Sequence, residues 1–505
     1  MKLSLTSADM EGELTFIHPE DLSLPHPQSP FKIRLLSDNE YCPVVNCHVS
    51  TAFAKPGALT LSKALFEKFG PETESLTYEM VHFHDESANA VLHFLQGQTL
   101  KKTQTQTLVH SIFSDEIPPL QTAAFVVAQH FLEDKVSTSE IEYLTEAFRD
   151  SGETIEFGLP THDKHSIGGC PGTSKVSIVS VPIVAAAGLL IPKTSTRAIT
   201  SPSGTIDAWE CIAPADFTPD EYVEIAKKTK GIIAYSGGKL GIAPVVDKII
   251  RDAAFPLGID PIPLLISGIL AKKRAVGVDF LVLDIPVGTS KIRSEDEGRG
   301  LARRFVDLAD RLKMRFEAGL TYGSVPVGHA IGATPEAREA IQTLIEPRKS
   351  PASLVEKATG LAGILFELAG LAARGSGQRI AKDILFSGKA YSKFQEIVEA
   401  QGGDPAIKAE DIELASHQFS WRSPATGWPV KIDNAALTVV ARAAGTPRHP
   451  GTGLILRAKK EAVQKGDVVL DVYAHSEAAL DQARGLIAKL NPISIEGMLM
   501  DRVWE

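Results

Sequence analysis

Pro192-Lys193-Thr194-Ser195-Thr196-Arg197-Ala198-Ile199-Thr200-Ser201-Pro202-Ser203-Gly204-Thr205-Ile206-Asp207-Ala208-Trp209-Glu210 crowds hydroxyls, one arginine and a Ser-Gly-Thr turn into a segment that directly follows an apolar run. A loop of this make at the mouth of an α/β fold is built to hold an oxyanion, because donors converge where the strands end. Upstream of the run lies a second such loop, Asp163-Lys164-His165-Ser166-Ile167-Gly168-Gly169. Its lysine offers a compact positive charge, its serine a hydroxyl, and its paired glycines a backbone that turns tightly and approaches a ligand closely. The plainer alternative is a capped turn carrying a solvated lysine. The run between the loops, Val176 to Pro192, is broken by Ser177, Ser180 and Pro182 and falls short of the roughly 20 residues of a membrane span. It reads as a buried helix.

Away from these loops the chain changes character several times. Residues 1–85 hold short β-like runs (Leu14 to Ile17, Phe31 to Leu35, Val44-Val45, Tyr78 to Val81) between prolines such as Pro25, Pro27 and Pro30, which predicts a β-containing domain. Residues 86–155 turn helical, with a capping box expected from Ser139 and Glu142. Past residue 155 strands alternate with helices, as in a sheet with crossover helices. Thr218-Pro219-Asp220-Glu221 opens one helix, Gly231 is placed at its stop, and Ser294 with Glu297 caps another after the strand Asp279 to Ile285. Residues 413–505 read as strands and turns, including Val468 to Tyr473, before a helix from Ser476.

The chain has 505 residues, 44% hydrophobic and 23% charged, with a formal net charge of -10. That length predicts several domains and that composition an ordinary globular protein. The acidic balance argues against a nucleic-acid partner, whereas a few local donors still bind a small anion. Four cysteines (Cys42, Cys47, Cys170, Cys211) make no disulfide framework, and neither a leader pattern nor a membrane span is read, so a cytoplasmic location is expected. Gly169-Cys170-Pro171-Gly172-Thr173-Ser174-Lys175 only superficially looks like a P-loop, because its lysine follows the hydroxyls. His82-Phe83-His84-Asp85, and Cys42 to Cys47 with His48, leave a four-ligand metal set incomplete, so no metal is expected.

The two loops together strongly resemble the phosphate-and-nucleoside site of the thymidine phosphorylase family, especially its long branch, which includes the AMP phosphorylases. The resemblance spans about 86–505 and implies a multidomain α/β and α+β fold. A helical domain (86–155 and 243–275) and an α/β phosphate-binding domain (156–242 and 276–412) flank the active-site cleft, with a C-terminal α+β domain (413–505) and an extra N-terminal domain (1–85). It implies that inorganic phosphate attacks the anomeric carbon of a nucleoside or nucleotide and expels the base. Phosphorolysis of a nucleoside monophosphate, AMP first, is the leading expectation. A pyrimidine nucleoside is the runner-up, and a non-catalytic nucleotide-binding or assembly protein the alternative of another class.

By the same resemblance Lys164, Ser166, Ser195 and Thr205 hold phosphate, with Lys164, His165 and Asp260 catalytic. Gly169, Ser195, Thr196, Arg197, Ala198, Ile199, Thr200, Ser201 and Gly204 line the nucleotide, and Arg251, Ser267, Gly268, Lys272 and Lys291 complete its site. Asp260 is the proton donor in the AMP branch, while Arg251 and Lys272 grip the base in the pyrimidine branch. Asp260 otherwise reads as a helix N-cap before Pro261, and Lys291 as an exposed lysine at a helix start. Gly268 stands where the family usually has a base-contacting serine, with Ser267 one place earlier. No cofactor is expected beyond phosphate as co-substrate, and a homodimer or larger homo-oligomer is.

Overall fold

The computed structural model describes residues 2–10, 13–22, 31–36, 43–69, 73–80, 85–199, 201–458 and 461–497. Two compact units emerge, one of Met1–Ala147 with Val245–Pro261 and one of Phe148–Pro244 with Ile262–Glu505. Of the segment 243–275, expected to go with the helical stretch, the helix Ile262–Ala275 therefore belongs to the second unit.

In the first unit, the β-like runs at the N-terminus close into a barrel. Its strands are β1 (Lys2–Ala8), β2 (Thr15–Ile17), β3 (Phe31–Leu36), β4 (Val44–Val49), β5 (Ala58–Ser62) and β6 (Ser75–Met80), in the spatial order β1-β5-β2-β4-β3-β6. Alternation along β3 turns Ile33 and Leu35 inward to meet Leu3, Ile17, Leu59 and Leu61. Closure pairs every strand edge, which removes the exposed edge that a small sheet otherwise presents. Helices Asp85–Leu95, Lys102–Phe113 and Pro119–Phe131 follow, and Pro244–Ile249 runs on into a π-helical turn, Ile250–Ala254.

The helix Thr138–Arg149 starts two residues earlier than the expected box allows. Ser137 receives the N–H of Glu140 on its hydroxyl, and the Glu140 carboxylate receives the N–H of Ser137. Ser137/Glu140 and Ser139/Glu142 share one spacing, and sequence alone chose the wrong pair.

In the second unit a parallel sheet is built from β7 (His162–Ser166), β8 (Ile191–Ser195), β9 (Gly231–Tyr235), β10 (Phe280–Val287) and β11 (Arg315–Tyr322). β7 pairs with β10 and β10 with β11, β8 pairs with β9, and the parallel bridge Thr161 to Leu190 joins the two parts. The apolar run is the helix Ser174–Ala186, buried from Lys175 to Ala185. It packs with Trp209, Ile341, Leu361, Phe366 and Phe394 in one apolar core. The helix Pro219–Thr229 carries the expected Thr218/Glu221 box, but its stop is Lys230 at φ 63, and Gly231 already begins β9.

The C-terminal part folds around an antiparallel sheet of β13 (His417–Arg422), β15 (Gly453–Leu456) and β16 (Val468–Ala474), to which β12 (Ala330–Ile331) adds from the α/β part. β14 (Trp428–Ile432) pairs with β17 (Ile493–Glu496), and the helices Asn434–Ala444 and Glu477–Leu490 cover the core. Among the described residues no helix is long and apolar enough to cross a membrane.

Candidate active site

In a parallel sheet every strand ends at the same edge, so the connections that leave that edge are brought together. β7 ends at Ser166, β8 at Ser195 and β10 at Val287. Lys164 and His165, expected in a loop, are strand residues, paired with Val282 and Leu283 of β10. The loop proper begins after Ser166, whose hydroxyl accepts the N–H of Gly168 at 3.3 Å. Gly168 and Gly169 follow at φ 78 and 88, which favours glycine. A Cβ at Gly169 would come within 3.2 Å of Thr289 Oγ1 and 3.3 Å of Lys291 Cγ, so this loop lies directly against the exposed Lys291.

Beneath the loop is a concentration of buried charge. Lys164 is 2% exposed and its Nζ donates to Ser177 Oγ at 3.2 Å, which disposes of the solvated-lysine alternative. Side chains alternate across a strand, and the neighbouring Asp163 meets Lys273 at 2.6 Å and Lys193 at 3.4 Å. On β10, Asp284 meets Lys357 at 2.9 Å and accepts the Thr321 hydroxyl at 2.5 Å. With Lys272, five buried lysines (Lys164, Lys193, Lys272, Lys273, Lys357) face two buried aspartates (Asp163, Asp284), a formal surplus of three positive charges.

The surplus moves protons. Burial, helped by Lys357 and Lys273 and opposed by Asp284 and Asp163, pulls the Lys164 ammonium down to about 8. Burial, with Lys273 and Lys164 beside it and Asp163 opposing, pushes Lys193 well below the usual lysine range. His165 is pushed well below the usual histidine value by burial and by Lys273, Lys193, Lys164 and Lys272, so it is a neutral imidazole at pH 7. Its Nδ1 is buried with no hydrogen-bond partner among the described residues.

Lys193, Lys273, Lys357, Asp163 and Asp284 were not singled out as site residues in the sequence. For two of them the signal was present: Lys193 and Asp284 lie in strands whose other residues are apolar or hydroxyl-bearing. A charge on a strand buried on both faces needs a partner.

The second loop leaves β8 at Ser195 and ends in the short helix Thr205–Trp209. Asp207 staples it: one carboxylate oxygen accepts the N–H of Ala198 and that of Gly204, both at 2.7 Å. Thr205 donates to the Ser174 carbonyl at 3.2 Å, tying this loop to the helix that follows the first one. Ser201 donates to the Ser203 carbonyl, and Thr196, Ala198 and Ile199 form the stretch the staple closes. Arg197 spends its fork on Glu210 (3.1 and 2.6 Å) and lies over the Tyr235 ring, so an incoming anion competes with that carboxylate. Thr200 lies outside the described residues.

The remaining expected residues divide between the units. Lys272 is 9% exposed on the helix Ile262–Ala275 and is one of the cations around His165. Ser267 and Gly268 are buried on the same helix, and the Ser267 hydroxyl donates to the Pro263 carbonyl at 2.7 Å, spent within its own helix. Arg251 and Asp260 belong to the first unit. Arg251 lies exposed in the π-helical turn and pairs with Asp252 at 2.8 Å, while Asp260 is exposed two residues before the helix Ile262–Ala275 begins. Lys175 of the P-loop-like stretch is fully buried against Glu339 at 2.5 Å and is a structural residue. His82, His84 and Cys42 lie outside the described residues, among which no group of three His, Cys, Asp or Glu side chains is disposed to hold a metal.

Comparison with known proteins gives this arrangement a family. Residues 89–152 match the helical bundle domain of a glycosyl transferase family, and residues 159–391 match that family's a/b domain. The AMP phosphorylase of Methanosarcina barkeri is 40% identical over 451 residues, covering 89% of this chain and 88% of that protein. That of Thermococcus sibiricus is 39% identical over 510 residues, covering 100% and 99%. Among solved structures, anthranilate phosphoribosyltransferase from Thermus thermophilus superposes with a TM-score of 0.51 at 18% identity, covering 62% of this chain and 99% of that one. It shares the fold.

Proposed function

The chain belongs to this glycosyl transferase family, alongside the AMP phosphorylases, and from that premise we propose that it cleaves AMP with inorganic phosphate to adenine and ribose 1,5-bisphosphate. A phosphate oxygen bonds to C1′ as the bond from C1′ to the base nitrogen breaks, and the departing base takes up a proton. The observation that carries this reading is the buried surplus of lysine charge beneath the ends of β7 and β8. Such a surplus complements a dianion and disfavours a neutral or cationic ligand. Lys164, Ser166, Ser195 and Thr205 hold the attacking phosphate, whose negative charge stabilises the positive charge that grows on the sugar. Neutral His165 offers a hydrogen bond without adding a further cation. Gly169, the loop from Thr196 to Gly204 with Arg197 and Ser201, and Lys291 receive the nucleotide. By the resemblance to the AMP phosphorylases, Asp260 is assigned the protonation of the leaving base, and Lys272, Arg251 and the Ser267-Gly268 stretch are assigned to base recognition.

The relatives support AMP over the pyrimidine nucleosides, and the lysine surplus supports an active phosphate-using enzyme over a non-catalytic binder. The chain works in the cytoplasm as a homodimer or larger homo-oligomer. Leu120 and Phe131 on the helix Pro119–Phe131 are each 79% exposed and offer apolar surface for a second copy. The test is base release from AMP and from thymidine, with and without phosphate. Adenine should leave AMP only when phosphate or arsenate is present; equal release in phosphate-free buffer would make the protein a hydrolase.

A further inference from the structure

We infer that the C-terminal part of the chain, beyond its own folding, positions the nucleotide loop through Thr446 and Arg442. The inference rests on the loop from Thr196 to Gly204 being the nucleotide-receiving one.

From inside, Asp207 ties Ala198 and Gly204 together and so closes the base of this loop. No room remains there: a Cβ at Gly204 would stand 2.7 Å from the Ala198 nitrogen and from the Thr196 carbonyl oxygen. Two carbonyls farther along it, those of Ile199 and Pro202, are instead met by residues from the C-terminal part. Thr446, 4% exposed, donates its hydroxyl to the Pro202 carbonyl at 2.8 Å, and Arg442 donates from its guanidinium to the Ile199 carbonyl at 3.1 Å.

The Pro202 carbonyl can only accept, so the single hydroxyl proton of Thr446 is directed at it. A lone pair of the same oxygen accepts the N–H of Ala333 at 3.4 Å. Ala333 opens the helix Ala333–Ile345, and Glu336 on that helix accepts the hydroxyl of Ser174, whose carbonyl receives Thr205. Thr446 therefore joins the Pro202 carbonyl of the loop to the same framework that holds its far end. The turn bearing Thr446 leaves the helix Asn434–Ala444 through Gly445 at φ 122, where a Cβ would come 2.6 Å from His475 Nδ1. A loop that must meet a nucleotide with several backbone and hydroxyl groups at once gains from being held before the ligand arrives. Thr446 and Arg442 are positioning residues, since they touch the loop and not the reacting atoms.

The experiment compares Thr446→Val, which keeps the shape and removes the hydroxyl, with Thr446→Ser, which restores it, and with Arg442→Ala at an exposed position. Steady-state kinetics of the full chain should show KM for AMP raised about tenfold in Thr446→Val and severalfold in Arg442→Ala. KM for phosphate should move less than about twofold, and Thr446→Ser should return KM for AMP to near wild type. Amide hydrogen exchange of ligand-free protein should show faster exchange at Ala198 and Ile199 in Thr446→Val, with β7 and β8 unchanged. A folded Thr446→Val whose KM for AMP and whose loop exchange both match wild type overturns the inference. If wild type released no adenine from AMP, the functional reading would fall by itself, and the exchange measurement would still decide whether the C-terminal part holds the loop.

Discussion

Lys164 stands between two demands, since a phosphate dianion wants an ammonium beside it and a buried strand between other lysines does not. With its ionisation pulled down to about 8 by burial and by Lys357 and Lys273, it is charged at pH 7 and neutral at pH 9. The sign follows directly: phosphate binding that depends on the ammonium is present below about pH 8 and is lost above it. The pH profile of kcat/KM for phosphate should therefore fall on its alkaline side near pH 8, and saturating phosphate should push the fall upward. Lys164→Ala should cost about 2–4 kcal/mol at the transition state and remove that alkaline limb. An alanine variant that keeps both the rate and the limb would take Lys164 out of phosphate binding. His165 adds no competing limb near neutrality, because burial and the lysines around it hold the imidazole neutral throughout that range.

At the scale of elements, the reading of Asp260 turns on the start of one helix. Asp260 precedes the helix Ile262–Ala275 by two residues, and asparagine serves a helix N-terminus about as well as aspartate. Asp260→Asn therefore separates the two roles. As a residue that only shapes the helix start it should leave kcat for AMP unchanged, whereas as the proton donor its loss should lower kcat by roughly two to four orders of magnitude with KM less affected. Wild-type turnover by the asparagine variant would assign the proton to another group. Much at this scale was legible in the sequence: the Thr218/Glu221 box, the Ser294 cap, the strand around Leu283 and the buried helix after Gly169 each carry a local signal. The misplaced Ser139/Glu142 box and Gly231 stop were local errors of one or two residues, but at the site failures came where the decisive partner is distant in sequence. Lys164 and His165 look like loop residues until β10 supplies the ladder, and Arg197 looks free until Glu210 takes its fork. Asp163 shows no function until Lys193 and Lys273 arrive from two other elements.

On the scale of the whole molecule, an acidic protein of net charge -10 keeps a local surplus of buried lysines beneath the ends of β7 and β8, and that surplus weighs on its stability. The unfolded chain holds the Lys164 proton at the usual 10.5 and the folded chain at about 8, a difference worth roughly 3 kcal/mol against folding whenever the lysine is charged in both states. This penalty is complete below pH 8 and is relieved as pH rises toward 10.5, because there the unfolded chain binds more protons. Phosphate relieves it at neutral pH by binding the folded state alone, and a hundredfold excess over Kd stabilises by about 2.7 kcal/mol. Lys164→Met, which keeps the apolar stem and removes the charge, should separate these effects. In phosphate-free buffer at pH 7 it should melt above wild type, since one like charge has left the cluster. Added phosphate should then raise Tm strongly for wild type and little for the methionine variant, reversing their order. If the methionine variant melts below wild type without phosphate, or gains as much from phosphate as wild type does, the lysine surplus is not what the anion relieves.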